Sequence, residues 1–267
     1  MDNEQKVNNK GTLSGALGLG EKEMISLVGA GGKTTLMFRL ARELALGGSR
    51  VLTTTTTKIM EPSSEETPFL FIHPEETKII ESVHQLMSQY NLMTIASERI
   101  GQGKLKGISL NCVKELWGLK EIDYLIIEAD GAAGRPIKAP REIEPVIPSD
   151  TTMVVALLGV DGLGVELSEE NVFQPERVSR LTGLVMGDRL TEDALAILTT
   201  HPEGLFKGAP QSSRWIVFLN KVDISDGLKK AQKISEKIIE RRNLQIERIV
   251  LGQVKKEPPV VEIIRNL

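Results

Sequence analysis

The residues best equipped for chemistry lie in SLVGAGGKTTLMFRLA, residues 26–41. An apolar run leads into Gly29, Ala30, Gly31 and Gly32, then Lys33, Thr34 and Thr35, then an amphipathic run. Glycines let backbone N–H groups curl around an anion with no Cβ in the way. The start of a helix adds unpaired donors and the positive end of its dipole. A lysine there reaches the β- and γ-phosphates of a nucleotide, and a threonine hydroxyl ligates magnesium. Strand, glycine loop and Lys-Thr at a helix start thus make a phosphate-binding layout, with residues 29–35 as its contacts. In the usual loop a glycine stands five residues before the Gly-Lys pair; here that position is Leu27. The tighter 29–32 run must do the wrapping.

A magnesium nucleotide also needs an acid from a neighbouring strand. YLIIEADG, residues 124–131, offers Glu128 and Asp130 where a buried strand ends. Either acid suits the metal shell or the attacking water. The catalytic candidates are therefore Lys33, Glu128 and Asp130, and the metal candidates Thr34, Glu128 and Asp130. Glu128-x-x-Gly131 resembles the Asp-x-x-Gly of GTPases, with glutamate substituted and Gly131 placed to offer an N–H to a γ-phosphate. NKVD, residues 220–223, follows another buried strand. In that pattern Asn220 and Lys221 frame the base, the lysine stem covering it. Asp223 accepts from the guanine N1–H and 2-amino group. Adenine would leave Asp223 unpaired, so GTP is favoured over ATP.

Two stretches admit two readings each. TTTTTK, residues 53–58, either turns its hydroxyls and Lys58 to the phosphates or is a β-branched strand end. GAAGRPIKAP, residues 131–140, either brings Arg135 or Lys138 to transition-state charge or is a solvated loop. Asp161 in GVDGLG is placed to line the cleft.

These residues need a scaffold. Short apolar runs alternate with helical patterns: strands at 23–29, 50–56, 123–130, 153–160, 214–220 and 245–251, and helices at 33–46 and 227–242. The second helix has Leu228, Ala231, Ile234 and Ile238 on its apolar side. Alternation of this kind predicts an α/β fold with a mainly parallel central sheet; together with the phosphate-binding loop, the expected fold is a three-layer P-loop NTPase. Residues 1–12 read as a flexible tail, 13–267 as a single domain, and 161–213 as a small helical insertion.

The 267 residues suffice for a sizeable core, and the net charge of −3 gives no electrostatic case for binding nucleic acid. The one cysteine, Cys112, has no disulfide partner. The polar N-terminus lacks a signal-peptide core, and no apolar stretch nears the roughly 20 residues of a membrane span. A cytoplasmic protein without a membrane partner is expected.

VGAGGKTTLMFRLA, TTTTTKI, IIEADGAAGRPIKAP and NKVD, in this order and at this length, resemble the YqeC family. That family is described as selenium-dependent molybdenum hydroxylase accessory, or selenium cofactor biosynthesis, proteins. The resemblance implies a P-loop NTPase of the group holding metallochaperone GTPases and MinD-like ATPases. Its implied role is maturing selenium-dependent molybdenum hydroxylases, with the hydroxylase or its maturation machinery as partner. MinD-like members carry a second lysine early in the loop where this chain has Val28, which weighs against a lysine-in-trans dimer. The expected cofactors are Mg2+ with GTP or ATP as substrate. Two alternatives stay open: an ATP-dependent small-molecule kinase or Mur-type ligase, whose loop GAGGKTT also resembles, and a non-catalytic nucleotide-binding regulatory module.

Overall fold

The computed structural model describes residues 11–265. The tail expected over 1–12 lies outside them as far as residue 10, and Thr12 already caps a helix. In chain order the elements begin with α1 (Leu13–Leu17), β1 (Glu23–Gly29), α2 (Lys33–Leu46), β2 (Val51–Thr55), β3 (Lys58–Met60), β4 (Leu70–Ile72) and α3 (Glu76–Leu86). Next come β5 (Leu92–Ala96), β6 (Glu98–Ile100), β7 (Lys104–Lys106), α4 (Leu110–Trp117), β8 (Tyr124–Glu128), β9 (Ile137–Lys138) and β10 (Met153–Gly159). The chain then forms β11 (Val172–Phe173), α5 (Pro175–Thr182), α6 (Glu192–Thr200), β12 (Arg214–Asn220), α7 (Gly227–Glu240), β13 (Ile246–Gly252) and β14 (Val260–Arg265).

The main sheet runs β14-β13-β12-β10-β1-β8-β2-β5-β4. Every pairing in it is parallel except β13 with β14. Its central strands are covered on both faces, which is why EMISLVG and MVVALLG read as unbroken apolar runs. Alternate residues sort to the two faces. Ile25 and Leu27 of β1 pack with Leu36, Leu40 and Phe38 of α2 and with α1. Val28, one step on, packs with the side that carries α5, α6 and α7, and Met24 with α3 and α4. The result is the expected three-layer α/β architecture with a mainly parallel central sheet, helix on sheet on helix, with β1 ending at the glycine loop in mid-sheet.

Residues 161–213 add Leu167, Val178, Leu195, Leu198 and Phe206 to the core on the α7 side. They also supply β11, which pairs in parallel with β9. The expected pattern does not close at residue 251. After Pro258 and Pro259 the chain returns as β14, antiparallel on the sheet edge. A three-stranded sheet, β3-β7-β6, was also not legible, because its strands are only three residues long. Leu228 is a correction. It is exposed, and α7 buries Gly227, Ala231, Ile234, Ser235 and Ile238 instead. The helix enters with Gly227 pressed on Val222, where an added Cβ would lie 2.5 Å from the Val222 carbonyl oxygen.

Candidate functional site

The carboxyl ends of β1, β8, β10 and β12 bring together most of the candidate residues. The glycine loop leaves β1 with φ of 91° at Gly29, 85° at Gly31 and 130° at Gly32, a region only glycine enters freely. Packing demands glycine as well. A Cβ on Gly31 would lie 2.4 Å from the Gly159 nitrogen, and one on Gly32 2.4 Å from Asn220 Nδ2. The Ala30 N–H donates to the Leu157 carbonyl at 2.9 Å, tying the loop to β10. Gly32 caps α2 with no side-chain hydrogen bond, so no side chain competes for the first N–H groups of that helix.

Lys33 opens α2 and is 5% exposed. Its Nζ donates to the Gly29 carbonyl at 2.7 Å and lies 3.2 Å from Asp130 Oδ1 and 3.7 Å from Glu128 Oε1. Burial pulls the Lys33 ammonium down, but Asp130 and then Glu128 outweigh it and hold it above its ordinary value. Thr34, also in the first turn, donates from its hydroxyl to Glu128 Oε2 at 2.7 Å. Burial pushes the Glu128 carboxyl above its ordinary value, against the pull of Lys33 and the Thr34 hydrogen bond. A hydroxyl and a carboxylate oxygen are hard donors, the kind magnesium takes, and their meeting at the mouth of the loop fits that ion.

Asp130 is wholly buried, with one oxygen toward Lys33 and the other on the loop backbone. Its Oδ2 accepts from the Gly29 N–H at 3.0 Å and lies 2.9 Å from Lys138 Nζ. The carboxylate thus braces the glycine loop from behind. Lys138 is itself wholly buried, and its Nζ donates to the Gly131 carbonyl at 2.6 Å and to Glu144 Oε2 at 3.2 Å.

The YqeC protein family matches residues 25–176. A protein of Escherichia coli strain K12 described as "Uncharacterized protein YqeC" is 35% identical over 237 residues, covering 89% of this chain and 90% of its own length. The chain belongs to the YqeC family. Two crystal structures of FtsY from Mycoplasma mycoides give TM-scores of 0.38 and 0.41 at 14% and 12% identity. They cover 93% and 91% of this chain, which spans 66% and 63% of theirs, and scores this low identify neither fold nor activity.

In this YqeC-family chain the NKVD segment meets the glycine loop through Asn220. Its Nδ2 donates to the Gly31 carbonyl at 2.8 Å, and its Oδ1 accepts from the Val254 N–H at 3.0 Å. Lys221, at φ 70°, sends its Nζ to Asp161 Oδ2 at 2.6 Å. Asp223 is exposed, and its carboxylate makes no hydrogen bond or ion pair among the described residues.

The stretches that admitted two readings take one place each in the structure. Thr53, Thr54 and Thr55 are fully buried, and their hydroxyls bond β5 and β8 rather than facing the loop. β2 lies between those strands, so the sheet takes the hydroxyls; only Thr56, Thr57 and Lys58 emerge. Arg135 turns away, giving its guanidinium to the carbonyls of Glu169 and Ala133. Lys138 lies inside the protein, not on a solvated loop.

Sequence reasoning missed Glu144 and the 254–257 turn. Arg39 of α2 holds that turn, donating to the carbonyls of Val254 at 2.6 Å and Lys256 at 2.7 Å and pairing with Glu257. Neither carries a motif. Cys112 is buried, and burial first, then Glu76 and Glu115, pushes its thiol up to about 12.

Proposed function

We propose that the chain is a magnesium-dependent nucleoside triphosphatase that favours GTP over ATP. The observation that carries this is the Thr34 hydroxyl meeting Glu128 at 2.7 Å, beside a lysine and a loop of glycines at a helix start. Lys33 leaves its carboxylates to take the β- and γ-phosphates. The N–H groups of residues 31–35 line the same phosphates, while the Ala30 N–H stays on the Leu157 carbonyl. Thr34 and Glu128 hold the magnesium, which neutralises charge on the phosphates when bound. To Glu128 we also assign the orientation of the attacking water. Asp130 supports the loop. Asn220 fixes the base-side segment against Gly31, leaving the Asp223 carboxylate open for a guanine edge and the Lys221 stem to cover the ring.

We further read the chain as a cytoplasmic maturation factor for selenium-dependent molybdenum hydroxylases, with the hydroxylase or its machinery as partner. What supports this is family membership and the resemblance carried by EADGAAGRPIKAP.

The test is titration and turnover of the purified chain with GTP and with ATP, each with magnesium, beside Lys33→Ala and Asp223→Asn. Lys33→Ala is expected to lower turnover about a hundredfold or more. Asp223→Asn is expected to erase a GTP preference of about a hundredfold and leave ATP binding unchanged. Intact binding and hydrolysis in Lys33→Ala would remove the phosphate site. ATP preference indifferent to Asp223 would remove the guanine assignment. Turnover that appears only with an added small carboxylic acid would favour a ligase.

A further inference from the structure

Five charged side chains are buried together behind the glycine loop: Lys33, Glu128, Asp130, Lys138 and Glu144, none more than 7% exposed. The phosphate-site reading uses Lys33 and Glu128 directly. It leaves unexplained why a second lysine and a third carboxylate are buried with them, at a cost that burial of charge always carries.

The contacts suggest the reason. In this structure Asp130 has two counter-ions, Lys33 at 3.2 Å on Oδ1 and Lys138 at 2.9 Å on Oδ2. Lys33 must leave to serve a phosphate. A buried Asp130 with no counter-ion would then either recapture Lys33 or let go of the Gly29 N–H that it holds at 3.0 Å. Lys138 has nowhere else to go. An ammonium has three donors, and its three oxygen neighbours are Asp130, the Gly131 carbonyl and Glu144. The Phe173 ring lies over it at 5.3 Å, held there by the β9–β11 pairing.

We propose that Lys138 is a positioning residue that stays as the counter-ion of Asp130 when Lys33 moves to the phosphates, so the glycine loop keeps its shape in both states. Lys138 touches no phosphate. Glu144 anchors it and competes mildly with Asp130 for its charge. This inference rests on the phosphate-site reading above.

The experiment is calorimetric titration with magnesium and the non-hydrolysable βγ-imido analogue of GTP or ATP, whichever the wild type binds. A thermal melt of each nucleotide-free variant runs alongside. Lys138→Met is expected to bind about a hundredfold more weakly, because Lys33 is then the sole partner of Asp130. The double variant Asp130→Asn/Lys138→Met is expected to return to within about threefold of wild type, since Lys33 is no longer claimed. Glu144→Gln is expected to bind as tightly as wild type or about threefold tighter. If Lys138→Met does not fold, the double variant and Glu144→Gln carry the test.

Wild-type-like binding by Lys138→Met would overturn the inference. So would a double variant as weak as the single one, or a tenfold loss in Glu144→Gln; these are the marks of a packing role. A wild type that binds neither analogue overturns the phosphate-site reading itself, and this inference with it. A wild type that binds while the variants break the pattern overturns this inference alone.

Discussion

The phosphate end and the base end of the candidate site are built in opposite ways. At the phosphate end the lysines and carboxylates are buried and mutually bonded, and Gly29, Gly31 and Gly32 have no room for a side chain. At the base end, Asp223 stands exposed and Lys221 is held by one partly exposed aspartate. The difference follows from what each end must do. Phosphate binding and transfer need donors fixed in place before the ligand arrives, since reorganisation at the moment of reaction is costly. Reading a base needs a polar edge that is satisfied by the right ligand and left unpaired by the wrong one. An open carboxylate does that without preassembly.

The largest expected effect tests the packed end. Gly31→Ala puts a Cβ 2.4 Å from the Gly159 nitrogen and 2.6 Å from its Cα, at a φ of 85°. Both neighbours are backbone of a central strand and cannot step aside. The left-handed conformation and the overlap together should cost about 3 kcal/mol or more, read as a lower urea midpoint at unchanged slope. A variant as stable as wild type would show that the loop is looser than its contacts.

Asn220→Ala tests the joint between the two ends. It leaves the Gly31 carbonyl and the Val254 N–H without their partner, for about 2–4 kcal/mol. Because the clamp shapes the glycine loop, this variant should weaken GTP and ATP alike, whereas Asp223→Asn should touch GTP alone. Equal patterns in the two variants would erase the distinction between a clamp and a reader.

The same contrast sets what the sequence could reveal. The α2 boundaries were legible to the residue, because Gly32 and Gly47 bracket one amphipathic period. The loop, Glu128 and Asn220 were legible because each follows an unbroken apolar strand. The burial of Lys138 was not. PIKAPREIE has the composition of a solvated turn. What buries its lysine is Asp130 from a strand end, Glu144 six residues on, and Phe173 from the 161–213 segment. None of these is a periodic signal. The threonine run stayed open between two readings for a related reason: hydroxyl chemistry is visible in a sequence, but which strands flank β2 is not.

The smallest effect concerns charge inside the packed end. Burial holds the Glu128 carboxyl above its ordinary value of 4.5 despite Lys33 and Thr34. A carboxyl whose folded value is raised favours folding fully below its unfolded value, and that contribution is lost as pH rises through the folded one. In the nucleotide-free protein, wild type should therefore lose ground to Glu128→Gln as pH climbs from about 4.5 toward 8. Paired thermal melts across that range check it. A difference between the two that is flat with pH, or that runs the other way, would mean Lys33 already compensates the carboxylate in full. The site would then be neutral before the ligand arrives. A rising difference would mean Glu128 is held under electrostatic tension that a bound cation relieves, and added magnesium with nucleotide should then narrow the gap.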